Sequence, residues 1–120
     1  MRSFCLSLAL LSAVASAQTV RVVVQSSPLA GFQYHEGERL WPQLHVGDPL
    51  VLAREPDNPH DANAVSVSWH GHKLGYLPRR DNARVAAEMD RGSRLAARIE
   101  ALRQEQDPWT RLRVEVLVQL

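Results

Sequence analysis

One eleven-residue stretch gathers most of the side chains that could bind or react: Arg54-Glu55-Pro56-Asp57-Asn58-Pro59-His60-Asp61-Ala62-Asn63-Ala64. Carboxylates, amides and an imidazole crowd together there, between the apolar runs Leu50–Ala53 and Val65–Trp69. Pro56 and Pro59 fix their own φ and bias Glu55 and Asn58 away from helix. Asp57, Asn58, Asp61 and Asn63 can fold their side chains back onto nearby backbone as Asx turns. The stretch therefore predicts a long, stiff loop between two strands, with its polar groups held in set directions. The same features also suit a hydrogen-bonded connection that only supports the sheet. Residue types alone leave both readings open.

Other chemistry is thinly represented. The five histidines, His35, His45, His60, His70 and His72, invite a metal site. Zinc needs three or four ligands converging at about 2 Å, and this spacing promises no such convergence. Asp57 and Asp61 could pair as hydrolytic carboxylates, but turn formation accounts for them. No Gly-rich phosphate loop, G-x-S-x-G elbow or H-E-x-x-H is present. The expectation is a binding module with no catalytic residue, metal or cofactor of its own.

A second polar patch lies upstream, in Leu29-Ala30-Gly31-Phe32-Gln33-Tyr34-His35-Glu36-Gly37-Glu38. Gly31 and Gly37 permit unusual backbone or the close approach of another group. Tyr34 and His35 between them are either half-buried loop residues or a stacking platform beside a hydrogen-bonding imidazole.

The elements that must position these groups read mostly as strands. Val20–Gln25 is β-branched throughout and predicts a strand that is central or covered on both faces. Leu50–Ala53 is a short apolar strand. In Val65–Trp69, Val65, Val67 and Trp69 alternate inward with Ser66 and Ser68 outward. His70-Gly71-His72-Lys73 makes a tight hairpin turn into Leu74–Leu77. Pro78 can open a helix over Arg79–Asp90, with Gly92 as its C-terminal cap. Leu95–Ala101 alternates as a strand, although Ala96, Ile99 and Arg103 also suit a helix. Arg111–Val118, with Leu112, Val114, Val116 and Val118 on one face, is a strand. The count predicts a mainly β fold with one or two helices, a small barrel-like sheet plugged at one end.

The N-terminus resembles an export signal: Arg2, the apolar stretch Phe4–Ala15, and Ala15-Ser16-Ala17 as an A-x-A cleavage site. Cleavage after Ala17 divides the chain into a leader, 1–17, and a mature domain, 18–120, exported to the periplasm or beyond. The mature part, about 100 residues, suffices for one core. The only cysteine, Cys5, leaves with the leader, so no disulfide or thiolate chemistry remains. Loss of Arg2 also leaves 13 basic and 13 acidic residues, so any nucleic-acid site must be a local patch. No other stretch approaches a membrane span, and the domain is expected to be a monomer off the membrane.

Three segments carry a resemblance to a known family: Gly31-Phe32-Gln33-Tyr34-His35-Glu36-Gly37, then Arg54 to Val65, then Lys73-Leu74-Gly75-Tyr76-Leu77-Pro78-Arg79. Together they resemble the HIRAN domain, over about Val20 to Val118. The resemblance implies an OB-like small β-barrel. In the DNA-repair translocases that carry it, this domain captures the free 3′ end of single-stranded DNA. Carried over, Gln33 and Tyr34 would lie against the terminal bases. Asp61 would accept from the terminal 3′-hydroxyl, with Asn58 and His60 lining the same pocket. Tyr76 and Arg79 would contact sugar and phosphate.

Three positions depart from those relatives, where arginine stands in place of Gln33, tyrosine in place of His60 and histidine in place of Tyr76. The departures imply weaker, more salt-sensitive DNA binding. The other reading, motivated by the leader and the balanced charge, is an exported interaction domain whose barrel holds a different ligand or a protein partner.

Overall fold

The structure, a computed structural model, describes Val20–Leu120; the leader expected over 1–17 lies outside the described residues. Six strands, β1 (Arg21–Pro28), β2 (Pro49–Arg54), β3 (Val65–Trp69), β4 (His72–Tyr76), β5 (Leu95–Leu102) and β6 (Leu112–Gln119), form one antiparallel sheet. Their order is β1-β6-β5-β2-β3-β4. Among the described residues, three helices accompany them: α1 (Gly37–Leu40), α2 (Asn82–Asp90) and α3 (Pro108–Arg111). Only α2 is longer than about one turn.

The sheet turns a corner at β2. Pro49 and Leu50 pair with β5, whereas Val51–Arg54 pair with β3. No ladder closes the sheet, but its outer strands meet at one bridge beyond the end of β1, Ala30 with Tyr76. Their backbones exchange hydrogen bonds of 2.8 and 2.9 Å. The neighbouring Gly75 makes this approach possible, because a Cβ there would collide with the Ala30 carbonyl. Leu29, Phe32, Val65, Val67, Leu74, Ile99, Leu112 and Val114 fill the interior, with Leu77 and Val85 from the β4–α2 segment. A small barrel-like mainly β fold is what the alternation predicts.

Four details differ from the expectations. β1 lies at the sheet's edge, and Val22, Val23 and Val24 are 43, 46 and 47% exposed. A β-branched run suits either place, and this strand reaches the interior only near its end, at Ser27, Pro28 and Leu29. It also continues through Pro28, whose missing N–H an edge strand tolerates. Ser66 is buried with the valines it alternates with, since α2 packs against β3. Helix α2 starts at Asn82, because Pro78 opens a turn first, with the Asp81 N–H donating to the Pro78 carbonyl at 2.9 Å.

Other expectations hold. β5 is a strand, paired along its length with β6. His70 and Gly71 form the two-residue turn between β3 and β4, both at positive φ, 47° and 82°. Gly92 caps α2: its N–H donates to Met89, and Ser93 N–H to Glu88. No described helix is long and apolar enough to cross a membrane.

Candidate nucleic-acid site

Arg54–Ala64 is a chain of tight turns. Asn58 N–H donates to Glu55, Asp61 N–H to Asn58, and Ala64 N–H to Asp61, at 3.1–3.3 Å. Two Asx turns sit within it: Asn58 Oδ1 accepts from His60 N–H and Asp61 Oδ1 from Asn63 N–H, both at 2.9 Å. Asp57 and Asn63 take no side-chain hydrogen bond among the described residues. Arg54, at the end of β2, clamps the loop from below. Its guanidinium donates to the Ala64 and Ala62 carbonyls at 2.8 and 3.0 Å and to Asp90 of α2 at 2.9 Å.

The loop forms one wall of a concavity of about 310 Å³. Asn58, His60 and Asp61 come from the loop, Tyr76 from β4, Arg79 from the turn after it and Asn82 from α2. Ala30, Ala64 and Leu77 supply its apolar lining. Five of the seven residues singled out from the sequence thus share one cavity. The other two, Gln33 and Tyr34, are exposed on the 3₁₀ turn Phe32–Tyr34 and do not line it; Tyr34 is 79% exposed. His35, at the end of that turn, reaches the Tyr76 ring instead, centroid to centroid 5.7 Å. The imidazole of the upstream patch therefore stands beside Tyr76.

Asp61 is anchored through both oxygens. Oδ2 accepts from Asn82 Nδ2 at 2.7 Å and Oδ1 from the Asn63 N–H. The Asn82 bond and then the Asn63 bond hold the carboxyl below its ordinary pKa, helped by the charges of Arg79 and Arg54 and opposed by partial burial. It is ionised at neutral pH. A carboxylate has about four acceptor sites, so two bonds leave it able to accept more. Arg79 Nε lies 3.9 Å from Oδ2, and its guanidinium donates to the His60 carbonyl while remaining mostly exposed.

A second group of side chains fixes the Tyr76 side of the cavity. Tyr76 Oη donates to Glu55 Oε1 and accepts from Lys73 Nζ, both at 3.0 Å. Lys73 Nζ also lies 2.9 Å from Glu55 Oε2, and Asn58 Nδ2 donates to Glu55 Oε1 at 3.3 Å. Burial pushes Glu55 up, but hydrogen bonds from Lys73, Tyr76 and Asn58 outweigh it and hold its pKa below the usual range. Lys73 is raised by its bonds to Tyr76 and Glu55. His35 is lowered by burial and by the Lys73 charge.

The cavity can accept from a hydroxyl at Asp61, donate to an anion at Arg79, and offer flat rings at His60 and Tyr76. Among the described residues, no three or more His, Asp or Glu side chains gather to hold a metal. His72 is paired with Glu36 at 2.9 Å and His70 packs on Trp69 at 4.0 Å.

A family model described as the HIRAN domain matches residues 22–120. The chain belongs to the HIRAN domain family. This is a family of nucleic-acid-binding modules. Among solved structures, this HIRAN domain is similar to a protein from Lactobacillus plantarum, at 30% identity and a TM-score of 0.74, covering 84% of this chain and 97% of that one. It is also similar to the HIRAN domain of human HLTF, at 19% identity and a TM-score of 0.60, covering 82% and 78%. No curated protein sequence matches it.

Sequence reasoning passed over Arg54, Glu55, Lys73 and Asn82 as site residues. All but Asn82 stand in the segments that carry the family resemblance, so a role was discoverable there. Asn82 gave no such signal: it reads as an ordinary polar helix position, and only the fold brings it under Asp61.

Proposed function

We propose that this HIRAN domain binds single-stranded DNA at its free 3′-hydroxyl end. The observation that carries the reading is Asp61: an ionised carboxylate in a cavity wall, anchored on both oxygens with acceptor capacity left over. A hydroxyl donates to such a group, whereas a terminal phosphate is repelled by it. Arg79 is available to the phosphate next to the end, and Asn58, His60 and Tyr76 bound the space the terminal nucleotide fills. Gln33 and Tyr34, outside the cavity, take the bases leading away from it; stacking of this kind tolerates any sequence. Glutamine at 33, which supplies no cation to a phosphate, and balanced charge make the binding weak. Fluorescence anisotropy at low salt tests the reading with two otherwise identical short strands. The strand ending in a 3′-hydroxyl binds more tightly than its 3′-phosphorylated twin; equal affinity, or no binding of either, removes the reading.

The second reading is an exported domain whose cavity holds another ligand or a protein partner. It is favoured by Arg2, the apolar stretch Phe4–Ala15 and Ala15-Ser16-Ala17. Intact-mass measurement of the protein from its native host then finds an N-terminus at Gln18 in the extracytoplasmic fraction. Uncleaved protein in the cytoplasm counts against export.

A further inference from the structure

A second concavity, of about 250 Å³, adjoins the first, and its lining is rich in arginine. Arg80, Arg103 and Arg113 face it together with Trp109 and Ser26. The two cavities share their framework. Ala30 lines the first and Pro28 the second, two residues apart beyond and at the end of β1. Arg79 lines the first and Arg80, the next residue, lines the second. Both cavities therefore border the same two stretches of backbone, Pro28–Ala30 and Arg79–Arg80.

The chemistry of the second cavity suits nucleic acid. The Arg80 guanidinium lies 5.7 Å from the Trp109 ring centroid, which steadies the ring. Trp109 is nevertheless 39% exposed, unusual for a tryptophan with nothing to do but pack. Arg103 is exposed and takes no ion pair among the described residues. Arg113 donates to Ser26 Oγ at 2.9 Å and lies 3.7 Å from Glu100. One carboxylate, Asp81, also faces the cavity, 3.5 Å from Arg80. Arg80 and Arg113 each stand beside one carboxylate, so the local positive excess is the unpaired Arg103, on a chain with almost no net charge.

Resting on the 3′-end reading, we infer that this groove carries the strand's continuation away from its terminus, with internal phosphates on Arg80, Arg103 and Arg113 and a base on Trp109. The site then spans more of the strand than the terminal cavity alone. Cations hold a backbone of any sequence, and the indole offers a face to any base.

The test compares a thymidine trinucleotide with a thymidine decanucleotide, each with a 3′-hydroxyl or a 3′-phosphate, by anisotropy over a range of salt. The decanucleotide binds at least about tenfold more tightly than the trinucleotide, the scale of one stacked base. Three extra phosphate contacts steepen its log–log salt slope by about 2. Trp109→Ala and, separately, Arg103→Ala remove most of the length gain. Both leave trinucleotide affinity and the 3′-hydroxyl preference in place, which also shows that the variants are folded. Equal affinity for the two lengths, with the 3′-hydroxyl preference kept, overturns the groove and spares the terminal cavity. A length gain that survives both substitutions also overturns it. Failure of every strand to bind, or equal binding of the two termini, removes the 3′-end reading and the groove with it.

Discussion

Asp61 and Glu55 stand in the same loop and do different work. Glu55 is more fully engaged: one oxygen takes Tyr76 and Asn58, the other takes Lys73, three of its roughly four acceptor sites. Asp61 keeps acceptor capacity and faces the cavity. Residue types were legible in the sequence, as were the Asx turns of Asn58 and Asp61, because those bonds are local. The partners were not. Asn82 lies 21 residues from Asp61, and Lys73 lies 18 from Glu55 across a hairpin. The charge states have a measurable consequence. Glu55 is lowered in the fold, so the stability it adds is complete above its ordinary pKa and is lost as pH falls through the lowered value. His35 is lowered as well, so protonating it costs stability once pH drops below its ordinary value. Lys73 is raised, and its contribution is complete below its ordinary pKa and lost only as pH rises through the raised value. The thermal midpoint is therefore level between about pH 7 and 9 and falls below about pH 6. A midpoint that rises as pH drops from 7 to 5 contradicts this assignment of charges.

At the scale of elements, the cavity exists because Ala30 and Tyr76 bring the two outer strands together. Gly75 permits that contact, so Gly75→Ala forces the backbones apart. It costs about 1–3 kcal/mol, the range for overpacking a filled site, read as a lower denaturation midpoint. It also weakens 3′-end binding, since Ala30 and Tyr76 both line the cavity. Unchanged stability and binding together mean the bridge is dispensable. The strands that the sequence made legible, β3 and β6, announce themselves by strict alternation, and the His70-Gly71 turn by its glycine. β1 was misplaced for a physical reason. A valine run looks alike at an edge and in a centre, and its partner β6 lies at the other end of the chain. The start of α2 was early for a similar reason. Proline suits the first turn of a helix and the first position of a β-turn equally well, and only packing decided between them.

The whole molecule joins two facts that composition keeps apart. Charge is balanced overall, yet Arg80, Arg103 and Arg113 gather on one groove beside a cavity that holds Asp61 and Arg79. Family membership was legible in three short segments, two of which, Arg54–Val65 and Lys73–Arg79, form walls of the cavity. The arginine groove was not, since it assembles from the end of β1, the turn before α2, the residue after β5, α3 and β6. The central claim is that the negative charge of Asp61 chooses a sugar hydroxyl over a phosphate, and Asp61→Asn tests it most directly. The amide oxygen can still accept from the hydroxyl, while the repulsion of phosphate is gone. In anisotropy titrations of matched strands, the affinity ratio of 3′-hydroxyl to 3′-phosphate falls toward unity in the variant, even if total affinity rises. A ratio the same in Asp61→Asn as in the native protein contradicts the account and leaves Asp61 as a turn-former alone.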